Sequence, residues 1–256
     1  KNKASMLHAG TTIIDIRKKD TNQKVEEKKD GTGKKVRPKN PHYVESKKNF
    51  ILAKEEQLIA DTNVNFESFE ILNTLGAGTF GKVFKVRHKQ TKQIFAMKVI
   101  NKKQLIKNQQ LRYAVTECNV LKQIDHPFII KLHYSFQTPD YLYMVLDYCP
   151  GGDLAFYVMK DVFEEDEAKF FIAELVLAIE KLHSCNIIYR DLKPENILID
   201  VEGHIKLADF GLAKEGIADN KVTTSFCGSP AYLSPEMVNR RGAGKSADIY
   251  GIGAVL

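Results

Sequence analysis

The chain has 256 residues, 43% of them hydrophobic and 27% charged, which fits a globular protein and excludes a wholly disordered chain, a collagen or a disulfide scaffold. Its net charge of +6 is unevenly placed: residues 1–65 carry 15 Lys and Arg against 9 Asp and Glu, and residues 66–256 carry equal numbers of each. This is a basic extension on a neutral body, not a uniformly basic nucleic-acid binder.

Residues 1–65 form the first segment. Lysine pairs, Gly31, Gly33, Pro38 and Pro41 mark residues 1–49 as mostly disordered. A short helix is expected over Ser46–Ile59, where Phe50, Ile51, Leu58 and Ile59 share a face. The lysine pairs could attract acidic lipid or nucleic acid. Interspersed acids and the lack of an aromatic before Tyr43 favour a solvated tail.

The second segment, 66–149, reads as five strands and one helix. Strands are expected over 69–72, 83–86, 94–100, 129–136 and 141–148, with helical character over 103–124. The third segment, 150–256, turns helical after Pro150-Gly151-Gly152. A long amphipathic helix is expected from Glu165 to His183, with Phe170, Phe171, Ala173, Leu175, Leu177, Ala178 and Leu182 recurring at helical spacing. Short β segments flank a loop at 189–196, and an apolar helix fills Ala247–Leu256.

Cys118, Cys149, Cys185 and Cys227 are too scattered for a structural zinc site. No apolar run is long enough for a transmembrane helix, and the N-terminus lacks a secretory signal. Reduced thiols in the cytoplasm or nucleus are the expectation. Because the first residue is Lys1, the natural start is expected upstream.

Gly76-x-Gly78-x-x-Gly81-x-Val83 allows the backbone to fold closely over a polyphosphate, with N–H groups facing its oxygens. A strand follows these glycines, so the element is a β-hairpin lid and not the opening of a Rossmann helix. Lys98 interrupts the apolar run Ala96-Met97-Lys98-Val99. Either an anion pairs it, with Glu117 the obvious partner, or it reaches solvent from an edge strand. Residues 189–196 read Tyr-Arg-Asp-Leu-Lys-Pro-Glu-Asn, Asp209-Phe210-Gly211 begins eighteen residues past Asp191, and Ser234-Pro235-Glu236 comes later.

This ordered set resembles the eukaryotic protein kinase family across about residues 66–256. The resemblance implies an α+β, bilobal fold with a small β-rich N-lobe and a larger helical C-lobe. It implies transfer of the ATP γ-phosphate to protein Ser/Thr hydroxyls with Mg²⁺. Leu75, Gly76, Gly78, Phe80 and Gly81 would cover the nucleotide, and Val83, Ala96 and Leu198 would sandwich the purine. Backbone groups near Asp147 and Cys149 would hold adenine, with Leu146 guarding the pocket behind. Lys98, held by Glu117, would bind the α- and β-phosphates. Asp191 would orient the acceptor hydroxyl and take its proton, Lys193 would contact the transferring phosphate, and Asn196 and Asp209 would hold Mg²⁺. Leu121, Leu132, Tyr189 and Phe210 match an internal apolar column that accompanies activity.

Lys193, Tyr189, His126-Pro127-Phe128, Tyr143-Met144-Val145 and Ser225-Phe226-Cys227-Gly228-Ser229-Pro230 are similar to the AGC group of Ser/Thr kinases. Ser225 then takes the activating phosphorylation position, modified by an upstream kinase, with Arg190 and Lys214 meeting the phosphate. Ser229 faces the substrate. Asp153 and Glu195 lie where similar kinases bind basic residues near the acceptor, although Asp153 could equally touch ribose.

Three features depart from that pattern. Ala231 and Tyr250 stand where the group often has Glu and Trp. The chain ends within the helix after Ser246, so the C-lobe is expected to be truncated. On that basis Glu236 should be buried and unpaired, at a cost of about 3–5 kcal/mol, leaving this polypeptide poorly folded or inactive. A pseudokinase or nucleotide-binding scaffold is the alternative, but Lys98, Asp191, Asn196 and Asp209 are all present and favour transfer.

Overall fold

The computed structural model describes residues 64–78, 81–160 and 163–256. The expected disorder over 1–49, the helix over Ser46–Ile59 and the position of Phe80 lie outside the described residues.

Five antiparallel strands form one sheet: β1 (Phe69–Gly78), β2 (Gly81–His88), β3 (Ile94–Asn101), β4 (Leu132–Gln137) and β5 (Tyr141–Leu146), in the order β1-β2-β3-β5-β4. Strand β1 runs through Gly76 and ends at Gly78 instead of at Leu72, and register shifts fall at Ile71/Asn73 and Thr74/Gly76. Side chains alternate across the pleat. On one face Phe69, Val86, Phe95, Met97, Tyr143 and Val145 form an aromatic-rich core. On the other, Ile100 joins the larger core below.

The helical stretch expected over 103–124 is two helices, α1 (Lys102–Lys107) and α2 (Leu111–Gln123). Gln109 separates them with a left-handed φ of 57°. Residues 129–131 do not extend β4 as expected. They cross to the C-lobe, where Ile130 N–H donates to the Leu207 carbonyl at 3.0 Å.

Past residue 149 come a small sheet, β6 (Gly152–Asp153), β7 (Ile197–Ile199) and β8 (Ile205–Leu207), and four helices. The helices are α3 (Leu154–Lys160), α4 (Glu165–Ser184), α5 (Pro235–Val238) and α6 (Lys245–Val255). Helix α4 begins where a Glu164/Glu167 capping box satisfies its first donors. Its buried face is Glu174, Leu175, Ala178, Ile179 and Leu182, and Phe170, Ala173 and Leu177 point outward, against the expected stripe. The face is rotated because Glu174 finds partners inside: His204 Nδ1 at 2.5 Å and Ile205 N–H at 2.9 Å. A buried carboxylate is tolerated when hydrogen-bonded.

Glu236 also differs from expectation. It is half-buried and accepts a hydrogen bond from Ser246 Oγ at 3.3 Å, so the cost of a buried, unpaired acid does not arise. Among the described residues no helix is long and apolar enough to cross a membrane.

Candidate active site

Lys98 sits on β3, opposite Val83 of β2 and Met144 of β5. An interior strand removes the solvent-reaching alternative for this lysine. Its Nζ instead lies 2.7 Å from both oxygens of Glu117 on α2 and 4.0 Å from Asp209 Oδ1. Burial works against the ammonium, but the Glu117 and Asp209 carboxylates outweigh it and hold the Lys98 pKa above its ordinary value. One cation thus joins the sheet, helix α2 and the Asp209-Phe210-Gly211 segment.

Above it, the three glycines differ. A Cβ on Gly81 would stand 1.9 Å from the Val99 carbonyl oxygen, so packing of β2 against β3 demands glycine. A Cβ on Gly76 or Gly78 would meet nothing within 4 Å. The described protein gives no steric reason for those two, and the open space suits a ligand approaching the backbone. Leu75 is exposed and Val83 half-buried. Ala96 is buried on β3, Cys149 is half-buried three residues past β5, and Leu198 is half-buried on β7. Burial, then the Asp147 charge, push the Cys149 thiol up to about 12, away from the nucleophilic thiolate.

The loop 189–196 is positioned from beneath. Asp248, buried in α6, accepts the Tyr189 and Arg190 N–H groups at 2.9 and 2.8 Å and lies 2.8 Å from His183 Nε2. Arg190 has φ +70°, a costly conformation for a non-glycine residue that these bonds sustain. Tyr189 is fully buried, donates its hydroxyl to the Ala208 carbonyl, and packs edge-on to Phe210 with ring centroids 5.2 Å apart. Leu121 lies in the same core, with Leu132 partly buried against it.

Asp191 emerges from this support. Its Oδ1 accepts the Ser229 hydroxyl at 2.8 Å, and Lys193 Nζ lies 3.1 Å from both Oδ2 and Ser229 Oγ. Asn196 donates its amide to the Asp191 carbonyl at 2.9 Å and to Oδ2 at 3.0 Å. That leaves the amide oxygen of Asn196, with the exposed carboxylate of Asp209, as hard donors of the kind Mg²⁺ takes. The donor set therefore fits the metal.

Ser225 is met by only one of its two expected cations. Arg190 Nη1 donates to Ser225 Oγ at 2.6 Å, whereas the hydrogen bonds of Lys214 are main-chain pairings with Ile188. Asp153 uses one oxygen to accept the Phe156 N–H at 3.0 Å, capping the first turn of α3. Glu195 is exposed and has no hydrogen bond or ion pair among the described residues. Asp248 and His183 were not expected from the sequence. A lone acid in the apolar stretch Ala247–Leu256 was their one available signal.

Residues 69–256 match the protein kinase domain family. Protein kinase 3 of Dictyostelium discoideum is 48% identical over 203 residues, covering 75% of this chain and 22% of that protein. The RAC family serine/threonine-protein kinase homolog of the same organism is 47% identical over 195 residues, covering 75% and 44%. Human ribosomal protein S6 kinase alpha-3 is 51% identical over 192 residues, covering 73% and 26%. The chain thus spans less than half the length of each of these relatives.

Proposed function

The chain belongs to the protein kinase family, in its AGC group, and from that premise we propose that its protein transfers the γ-phosphate of MgATP to Ser/Thr hydroxyls. The observation that carries the proposal is Asp191 Oδ1 accepting a serine hydroxyl at 2.8 Å while Lys193 Nζ stands 3.1 Å from that same oxygen atom of Ser229. A carboxylate that receives a hydroxyl proton, beside a cation, is the arrangement phosphoryl transfer requires.

In the step itself the acceptor oxygen bonds to the γ-phosphorus, the bond to the β-phosphate oxygen breaks, and ADP leaves. The hydroxyl proton passes to Asp191. Lys98, held by Glu117, neutralises the α- and β-phosphates, and Lys193 balances charge on the moving phosphoryl group. Asn196 and Asp209 would hold Mg²⁺, which when bound offsets charge on the phosphate oxygens. Gly76 and Gly78 let the hairpin approach the phosphates, Gly81 lets β2 pack against β3 beneath them, and the Asp147–Cys149 backbone receives adenine between Val83, Ala96 and Leu198.

Substrates carry basic residues near the acceptor. The carboxylate of Glu195, exposed and without a partner among the described residues, supports this, and Asp153 keeps a second oxygen free of its helix cap. An upstream kinase modifies Ser225. The added charge of about −1.5 to −2 meets Arg190, already in contact with that hydroxyl. Four unpaired cysteines favour a reducing compartment, the cytoplasm or nucleus. The basic extension has no part in the transfer step, so deleting residues 1–63 should leave the transfer rate unaltered.

The test is phosphate transfer to an arginine-rich peptide. Asp191→Asn should lower kcat by about 10²–10⁴-fold. An undiminished rate refutes the mechanism. Glu195→Ala should raise KM for that peptide and not for one lacking upstream arginine.

A further inference from the structure

Asp147 lies in the segment joining the lobes, where its backbone is assigned to adenine. Its side chain is engaged elsewhere. Oδ2 accepts the Lys131 N–H at 2.9 Å, while the Asp147 N–H donates to the Lys131 carbonyl at 3.1 Å. His133 Nε2 on β4 lies 2.7 Å from Oδ1. Lys206 Nζ on β8 approaches Oδ2 at 3.8 Å. One carboxylate thus gathers groups from β4, from the residues leading into it, and from the C-lobe.

We propose that Asp147 is a positioning residue whose carboxylate clamps the inter-lobe segment to both lobes and so sets the backbone that receives the nucleotide base. The inference rests on the nucleotide reading of the cleft.

Three further observations support it. The Phe95 ring, buried in the upper core, stands 4.8 Å from the His133 ring and fixes the imidazole from its apolar side. Lys131 turns its own ammonium to Asp125 at 3.2 Å and leaves only its main chain for Asp147. Lys206 is in register with Leu198, the residue assigned to one wall of the purine site. The clamp therefore connects the strand carrying that wall to the backbone expected to hydrogen-bond the base. Burial would push the Asp147 carboxyl up. The hydrogen bonds with His133 and the Lys131 N–H, together with the nearby charge of Lys206, more than reverse this and keep it ionised.

A base-binding backbone held before the ligand arrives loses less freedom on binding. Loosening the clamp should therefore weaken nucleotide binding more than it slows chemistry. In the full chain, His133→Leu and Asp147→Asn should each raise KM for ATP by about three- to tenfold, with a much smaller change in kcat. His133→Gln, whose amide N–H replaces the imidazole donor, should restore KM to within about twofold of the parent. Combining His133→Leu with Asp147→Asn should raise KM no further than Asp147→Asn alone, because His133 acts only through the Asp147 carboxylate.

Amide hydrogen exchange across residues 146–149 gives a readout that needs no transfer activity. Both damaging variants should speed it by about tenfold, and His133→Gln should not. Faster exchange in a chain that transfers no phosphate would uphold the clamp and overturn the kinase reading. Unchanged exchange and unchanged KM in folded His133→Leu and Asp147→Asn proteins would overturn the clamp. So would equal damage by His133→Gln and His133→Leu.

Discussion

The glycine-rich hairpin and the loop 189–196 serve the same proposed reaction but are built in opposite ways. In the hairpin, Leu75 is exposed and the space above Gly76 and Gly78 is open. In the loop, Tyr189, Asp191 and Asn196 are buried, and polar atoms are held by Asp248, Lys193 and Ser229. The loop must hold a carboxylate in one place before any ligand arrives, so the protein supplies the partners and accepts a strained Arg190. The hairpin must admit a large anion, so its backbone is left bare for the anion to complete. Substitutions under the loop should therefore be costly to folding, whereas those in the open part of the hairpin should be costly only to binding.

The largest expected effect is at Asp248. Asp248→Ala removes the acceptor of two buried N–H groups and the partner of His183. Loss of a buried, hydrogen-bonded charge costs about 3–5 kcal/mol. Urea denaturation should show a lower midpoint at an unchanged slope. A loss below about 1 kcal/mol would show that the loop stands without its support.

Lys98→Met comes next, and it tests the point where the two regions meet. Glu117 and Asp209 both face this ammonium. Loss of one preorganised cation should lower kcat/KM by about a hundredfold or more. Glu117→Gln keeps a hydrogen-bond acceptor for Lys98 and should cost about tenfold. Steady-state kinetics on both variants give the order, and equal losses would mean Glu117 does more than hold the lysine.

Much of this site was legible because its side chains recur at fixed spacing around Asp191, and because a lysine inside an apolar run needs an anion. Strand positions were legible from alternation, since β3 is framed by apolar neighbours. What was not legible depended on partners distant in sequence. The face of α4 was misread because apolar spacing alone ignores a buried acid such as Glu174, whose partners lie some thirty residues on. Residues 129–131 look like the start of β4 until Leu207 claims them. The break at Gln109 carries no Gly or Pro. Glu236 is satisfied by Ser246, ten residues on, a pairing that no spacing rule signals.

A smaller effect is expected at Asp147, which joins the lobes above and below the cleft. Its carboxyl is held below the ordinary value of 3.8. A depressed folded pKa contributes stability that is present above the unfolded value and is lost as pH falls through the folded one. The difference in Tm between the parent and Asp147→Asn should be constant near neutrality and shrink below about pH 4. A gap that persists in acid would assign the loss to something other than the charge.

The smallest expected effect lies within the hairpin and divides its own glycines. Gly81→Ala drives a methyl into the Val99 carbonyl, 1.9 Å away, and should cost about 1–3 kcal/mol of stability. Gly76→Ala meets nothing within 4 Å and keeps an ordinary strand conformation. Its stability should be unchanged or higher by up to about 1 kcal/mol, since alanine restricts the unfolded chain. Yet its methyl enters the space assigned to the phosphates, so KM for ATP should rise about two- to fivefold. Thermal unfolding and nucleotide kinetics on the same two variants separate the cases. If Gly76→Ala lost as much stability as Gly81→Ala, the open face of the hairpin would be serving the fold, and its contrast with the loop would fail.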